Sequence, residues 1–305
     1  MKPEDVRRFH QQLGSEYLAY AYPESSAVYP GGQRRTAAAA AAIHAEFGRA
    51  PQRAVDLGSG AGDLCFLLAA GGASVIGVDF ADTMIASARG RLQQLPPEIQ
   101  GRVSFACVDV FENAIPDASV DAVAALGVIE TEPGDARLFA EASRLLQPGG
   151  VFAVSCRNRL FNAVSANRHT RRELQSGGLD QLLAEAERHL ARSSAASTGP
   201  AIAEFIAKLQ TVSASGGSAM AAPPPAPVSI GETRQHTPDG LAQSARAHGF
   251  TGGTFIGVHP HPLPPVLEAL APELYNRLAG AAEAFEREPL GLLWSSAFVA
   301  AFTKA

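Results

Sequence analysis

Short apolar runs alternate along the first half of the chain with longer stretches in which apolar residues recur every three to four positions. The runs at 54–57, 74–79, 103–108, 120–126 and 151–155 predict β-strands, and Thr36 to Phe47, Asp63 to Ala70, Thr83 to Leu95 and Asp135 to Leu146 predict the helices between them. Strands that are apolar throughout belong to a sheet covered on both faces, so this half predicts a mostly parallel α/β sheet. After the fifth run the alternation stops. Residues 157–235 carry helical periodicity over Leu179 to Ala191 and Ala201 to Val212 but no strand pattern, and predict a helical insertion. Within it, 213–227 includes Pro223-Pro224-Pro225 and has too little apolar surface to fold alone, which predicts a mobile connector. Thr237-Pro238 then opens a helix to about His248, with Thr237 as its cap and Pro238 in its first turn. Gly253 to Val258 predicts a sixth strand and Ser296 to Thr303 a last one.

The chemistry-bearing segment is Val55-Asp56-Leu57-Gly58-Ser59-Gly60-Ala61-Gly62-Asp63, a strand that ends in an acid and turns through glycines into a helix. Such a turn lets a ligand approach the backbone closely. A dinucleotide fingerprint wants its third glycine where Asp63 stands, and a carboxylate there opposes a diphosphate. The second run ends in Asp79, followed by Phe80; the third ends in Asp109-Val110; the fourth ends in Leu126-Gly127 and leads to Glu130; Pro148-Gly149-Gly150 precedes the fifth. In this order the stations resemble the class I S-adenosylmethionine (SAM) dependent methyltransferases, closely over about 35–157 and more loosely over the tail. The resemblance implies a Rossmann-like, doubly wound, mostly parallel seven-stranded sheet with an antiparallel last strand. It implies SAM as cofactor, held by Asp56, Gly58, Ser59, Gly60, Gly62, Asp79, Phe80, Asp109, Val110, Leu126 and Gly127. Asp79 would accept the ribose hydroxyls and Asp109 would face the adenine amino group. It also divides the chain into an N-terminal lid at 1–35, a SAM-binding core at 36–156, the insertion at 157–235 and a completing segment at 236–305.

The 305 residues and 46% hydrophobic content suffice for a sizeable core. A net charge of -5 argues against a basic field built for nucleic acid, so no nucleic-acid partner is expected. Cys65, Cys107 and Cys156 are too dispersed for a disulfide framework, and no leader-like start or membrane-spanning run is visible, which together predict a cytoplasmic location and no membrane partner. The pattern leaves the oligomeric state open. His259 and His261 have no spaced third ligand, so no metal site is expected.

Methyl transfer aligns a nucleophile with the donor in line, and a general base is needed only when the acceptor is protonated. Ligands in such sheets lie beyond the carboxyl ends of the strands. His259 and His261 follow the sixth strand there and are the candidate bases, with an expected rise of activity through the ordinary imidazole range. Candidate acceptor-binding residues are Glu130 after the fourth strand and Arg157, Asn158, Arg159 and Asn162 after the fifth, whose guanidinium groups suit an anionic acceptor group. To these are added His169 and His236, and Tyr17, Tyr20, Tyr22 and Tyr29 as an aromatic lid. The expected function is methyl transfer from SAM to a small molecule, with oxygen favoured as acceptor over nitrogen or carbon. A protein that binds SAM without turning it over is the alternative from another class.

Overall fold

The computed structural model describes residues 28–214 and 233–305. The expected residues Tyr17, Tyr20 and Tyr22, and most of the connector at 213–227, lie outside them. The N-terminal half alternates α1 (Gly31–Phe47), β1 (Arg53–Leu57), α2 (Asp63–Ala70), β2 (Ser74–Asp79), α3 (Asp82–Leu92), α4 (Pro97–Gln100), β3 (Val103–Cys107), β4 (Val120–Leu126), α5 (Ala136–Leu145) and β5 (Leu146–Asn158). Three helices follow: α6 (Arg168–Ser176), α7 (Leu179–Leu190) and α8 (Ala195–Ala214). The chain returns through β6 (Gln235–His236), α9 (Pro238–Ala247), β7 (Phe250–Pro260), α10 (Pro272–Ala282), α11 (Pro289–Trp294) and β8 (Ser295–Lys304).

The sheet has eight strands in the order β3-β2-β1-β4-β5-β8-β7, with β6 pairing β5 off this path. The pairs among β1 to β5 are parallel, and β8 runs antiparallel between β5 and β7. The strand order therefore reverses between β1 and β4, where open α/β sheets open a crevice for a ligand. Alternate residues of one strand feed opposite cores: Val123 and Ala125 of β4 pack with Leu138, Phe139 and Leu145 of α5, while Ala122 and Ala124 pack with Ala38, Ala39, Ala42 and Ile43 of α1. The small side chains on the second face let α1 lie close against the strands.

Several elements differ from their sequence expectation for identifiable reasons. α1 begins at Gly31, because the Arg34 N–H bonds to the Pro30 carbonyl and starts the helix within a polar stretch. α6 has no apolar stripe, and Leu174 is exposed, so periodicity cannot reveal it; an Asn167–Thr170 capping box starts it instead. The sixth predicted strand extends to Phe250–Pro260 because its register slips between Thr251 and Thr254, a bulge that a glycine pair reads as an end. β5 runs to Asn158, so Arg157 and Asn158 are strand residues, paired on one side with Gln235 and His236 of β6. At only two residues, β6 has no detectable pattern of its own. Thr237 does cap α9, accepting the Gly240 N–H at 3.1 Å.

Candidate functional site

The glycine turn after β1 is held against β2 by the Gly58 and Ser59 N–H groups, which both donate to the Val78 carbonyl at 2.7 and 2.9 Å. Gly62 caps α2 in the left-handed region, and a Cβ there would lie 2.7 Å from Phe105 and 2.8 Å from Phe66. Gly60 has φ +52, yet a Cβ on it would meet nothing within 4 Å. Among the described residues nothing fills the space at that turn, which leaves room for a ligand against the backbone.

Asp79, at the end of β2, accepts the Gly60 N–H at 2.9 Å and the Ala81 N–H at 2.8 Å. The carboxylate keeps lone pairs for further donors, since it can take about four hydrogen bonds. Asp109 accepts the Phe111 N–H at 2.9 Å and so shapes the turn after β3, beside buried Val110 and half-buried Phe80. Asp63 does not repel an anion as its position suggests, because Arg91 grips both its oxygens at 2.6 and 3.1 Å. The case against a dinucleotide therefore rests on glycine spacing rather than charge.

Asp56 is buried at the end of β1. Its Oδ2 accepts a weak bond from the Cys65 thiol, while Oδ1, like the Ser59 Oγ, has no hydrogen-bond partner among the described residues. Burial pushes its carboxyl up to about 7; the neighbouring Asp79 and Asp63 charges add to this, while Cys65 and Arg35 work against it. Orphaned buried acceptors are costly, which makes these two atoms a place for a ligand with donors to spare. Together with the open turn at Gly60 and the acid at Asp79, they fit a nucleoside carrying an ammonium group.

A pH test follows. The folded state holds a proton on Asp56 that the unfolded chain releases above about 4, so ligand-free stability falls as pH rises from about 4 towards 7. The size is of order 4 kcal/mol at most, from roughly 1.4 kcal/mol per pH unit. Buried His261 slopes the opposite way between about 4 and its ordinary value near 6.5, because its unfolded form binds the proton. The comparison with Asp56→Asn therefore isolates Asp56. Denaturant titrations at pH 5 and pH 8 should find the variant gaining on the wild type at the higher pH; parallel behaviour would refute a raised Asp56.

Beyond the ends of β5 and β7 lies a stack of rings. Tyr29 stacks on His259 at 4.2 Å between centroids, His259 meets His261 at 4.1 Å, and His261 stacks on Phe161 at 5.0 Å. His259 has φ 57, a left-handed conformation that costs a non-glycine residue and that places it out of register between Val258 and Pro260. Burial drives its imidazole well below the ordinary range, with His261 adding to the effect. Burial likewise lowers His261 to about 4, so both rings are neutral at pH 7, and a base among them would give no rise of activity through the usual imidazole range.

The tautomer of His261 follows from its partner. The Tyr275 hydroxyl donates its one proton to the Leu263 carbonyl at 2.9 Å, so the 2.7 Å contact with His261 Nδ1 requires Nδ1 to donate. Nε2 is then a bare acceptor, buried and without a partner among the described residues.

Other expected acceptor-binding residues are drawn into structure. Asn158 donates to the Leu292 and Ser295 carbonyls at 2.6 and 2.8 Å, tying β5 to the C-terminal segment. Arg159 grips Glu173 of α6 at 2.9 and 2.8 Å, and Asn162 donates to Glu173 and Gln235. His236 lies 3.0 Å from Asp135. Burial alone would raise Asp135, but bonds from His236, Ser244 and Arg234 outweigh it and hold the carboxyl far below its usual range. His169 sits at the start of α6, its N–H capped by Asn167. Tyr29 donates its hydroxyl to Glu283 at 2.7 Å, which engages its polar end. Glu130 and Arg157 do meet at the carboxyl ends of the strands, 3.5 Å apart, with Arg157 57% exposed and able to turn to another anion. Burial raises the Glu130 carboxyl, and Arg157 and Arg35 oppose it.

Arg35 is the residue that sequence reasoning missed. It acts electrostatically on both Asp56 and Glu130, and its Nη1 would lie 3.6 Å from a Cβ on Gly127. No motif marks it, because α1 reaches this loop only by packing across the sheet.

A reversed α/β sheet with a glycine turn after β1, acids closing β2 and β3 and an antiparallel penultimate strand in space defines the class I SAM-dependent methyltransferase fold. Residues 55–154 match the methyltransferase domain family. Over 127 residues the chain is 36% identical to a trans-aconitate 2-methyltransferase of Methylobacterium radiotolerans, covering 39% of this chain and 45% of that protein. The chain thus spans about half the length of the curated relatives it matches. Over nearly the whole chain the fold is similar to magnesium protoporphyrin IX methyltransferase from Synechocystis, with a TM-score of 0.53, 13% identity and 98% of both chains covered. It is equally similar to the [4+2]-cyclase SpnF, with a TM-score of 0.53, 14% identity and 98% and 94% covered. Among the described residues no helix is long and apolar enough to cross a membrane.

Proposed function

We propose that the protein transfers a methyl group from SAM to the hydroxyl of a small molecule that carries an anionic group. The observation that carries the oxygen assignment is the bare, buried Nε2 of His261, aligned by Tyr275. SAM, when bound, supplies a methyl group made electrophilic by its sulfonium. Asp79 and the Gly60 turn would hold its nucleoside, and Asp56 and Ser59 its amino-acid end. Arg157, beside Glu130, offers a fork to a carboxylate or phosphate on the acceptor. His261 Nε2 takes the hydroxyl proton. A weak base suffices because that proton becomes strongly acidic as the new bond to oxygen forms. The rings of Tyr29, His259 and Phe161 keep water from this end of the sheet.

The first test is incubation with methyl-labelled SAM and a metabolite extract, read by mass spectrometry. Label in a small acidic metabolite together with the demethylated cofactor supports the reading. SAM recovered intact from a stoichiometric complex would favour binding without methyl transfer.

A further inference from the structure

Away from the cofactor crevice, the fold assembles a cluster that no sequence spacing announces. Glu185 and His189 lie four residues apart on one face of α7, and Asp239 in the first turn of α9, 54 positions beyond Glu185, meets them. His189 Nε2 is 3.2 Å from Asp239 Oδ1 and 3.6 Å from Glu185 Oε1, and all three donor atoms lie within 4.8 Å of one another. Neither approach has hydrogen-bond alignment, so Nε2 of this 5% exposed histidine is a buried polar atom without a hydrogen-bond partner among the described residues.

The two separations from His189 are those of a coordination polyhedron. Bonds of about 2.0 to 2.1 Å to nitrogen and oxygen at a tetrahedral angle put neighbouring ligand atoms roughly 3.3 Å apart. We propose that Glu185, His189 and Asp239 form a divalent-metal site, of the tetrahedral kind that Zn2+ prefers, which clamps α7 to the start of α9.

The surroundings suit this role. The Asp239 N–H donates to Glu185 Oε1 itself at 3.0 Å, and Arg188 holds Asp239 by its other oxygen, Oδ2, at 3.2 Å, so both carboxylates are oriented. Glu185 and Asp239 line a solvent-open cleft of about 910 Å³, which supplies an entry path and water for the fourth position. Arg192, 4.0 Å from Asp239 Oδ1 and 60% exposed, is the competing cation. A metal here joins the three-helix segment to the segment that re-enters the sheet at β6, and its binding energy is folding energy.

The test uses the full chain after chelator treatment, with Zn2+ and with Co2+ as a spectroscopic probe. One ion per chain is expected, with the visible bands of tetrahedral Co2+ and without the charge-transfer intensity that exposed Cys107 would give. At a hundredfold excess over Kd, Zn2+ should raise the unfolding midpoint by roughly 4 °C. His189→Gln should abolish both signals, and Arg192→Gln should tighten binding severalfold. Should His189→Gln fail to fold, the less buried Asp239→Asn must lose the same signals. Absence of binding at millimolar ion, or unchanged bands and midpoint shift in folded His189→Gln or Asp239→Asn, overturns the proposal and leaves a metal-free ion pair.

Discussion

His261→Gln is expected to lower turnover by about a hundredfold or more while SAM affinity stays nearly unchanged, because a positioned base contributes roughly 10²- to 10⁴-fold. The glutamine keeps polarity and volume but offers no nitrogen lone pair at the Nε2 position. Tyr275→Phe tests the same step from one residue back. It removes the acceptor that holds Nδ1–H, so Nε2 is free to become the protonated atom, and kcat should fall about tenfold with little change in KM. Because burial lowers His261 to about 4, the wild-type contribution of this group should be flat from pH 5.5 to 8 and lost only towards pH 4. A loss centred near 6.5 would mean that another imidazole acts. Turnover within a fewfold of wild type in His261→Gln would sink the oxygen assignment and favour a nitrogen or activated-carbon acceptor that needs no base.

Asp79→Ala is expected to weaken SAM binding at least tenfold by calorimetry. Each ribose hydroxyl bonded to its carboxylate is worth roughly 1.5 to 3 kcal/mol. The structure adds a second cause, since the same carboxylate holds the Gly60 N–H and thereby the shape of the turn. Asp79→Asn separates the two: it keeps one acceptor for the loop, should stay folded, and should still lose much of the affinity. Unchanged affinity in a folded Asp79→Ala would remove the cofactor assignment from this crevice, and with it the functional proposal, but not the metal site on α7 and α9.

Much of the fold was legible because its signals are local. A strand buried on both faces must be apolar throughout, and a turn that brings the backbone close to a ligand needs glycine, so β1 to β5, the turn at Gly58 to Gly62 and the acids Asp79 and Asp109 could be read directly. The Thr237-Pro238 start of α9 was equally readable, because capping acts within one turn of helix. The same reading misjudged Asp63, whose charge is compensated by Arg91 28 residues away.

What the sequence by itself determined, then, is the layered sheet, the order of its stations and the place of the glycine turn where the sheet reverses, all set by burial and backbone geometry over a few residues. The tertiary structure alone decided the partners. It gave His261 its tautomer through Tyr275, took Asn158, Arg159 and Asn162 for structural ties, brought Arg35 to Asp56 and Glu130, and gathered Glu185, His189 and Asp239 into one cluster. The physical reason is range: a hydrogen bond or an ion pair fixes its meaning by direction and distance in space, and residues far apart in the chain acquire both only when the elements between them have packed.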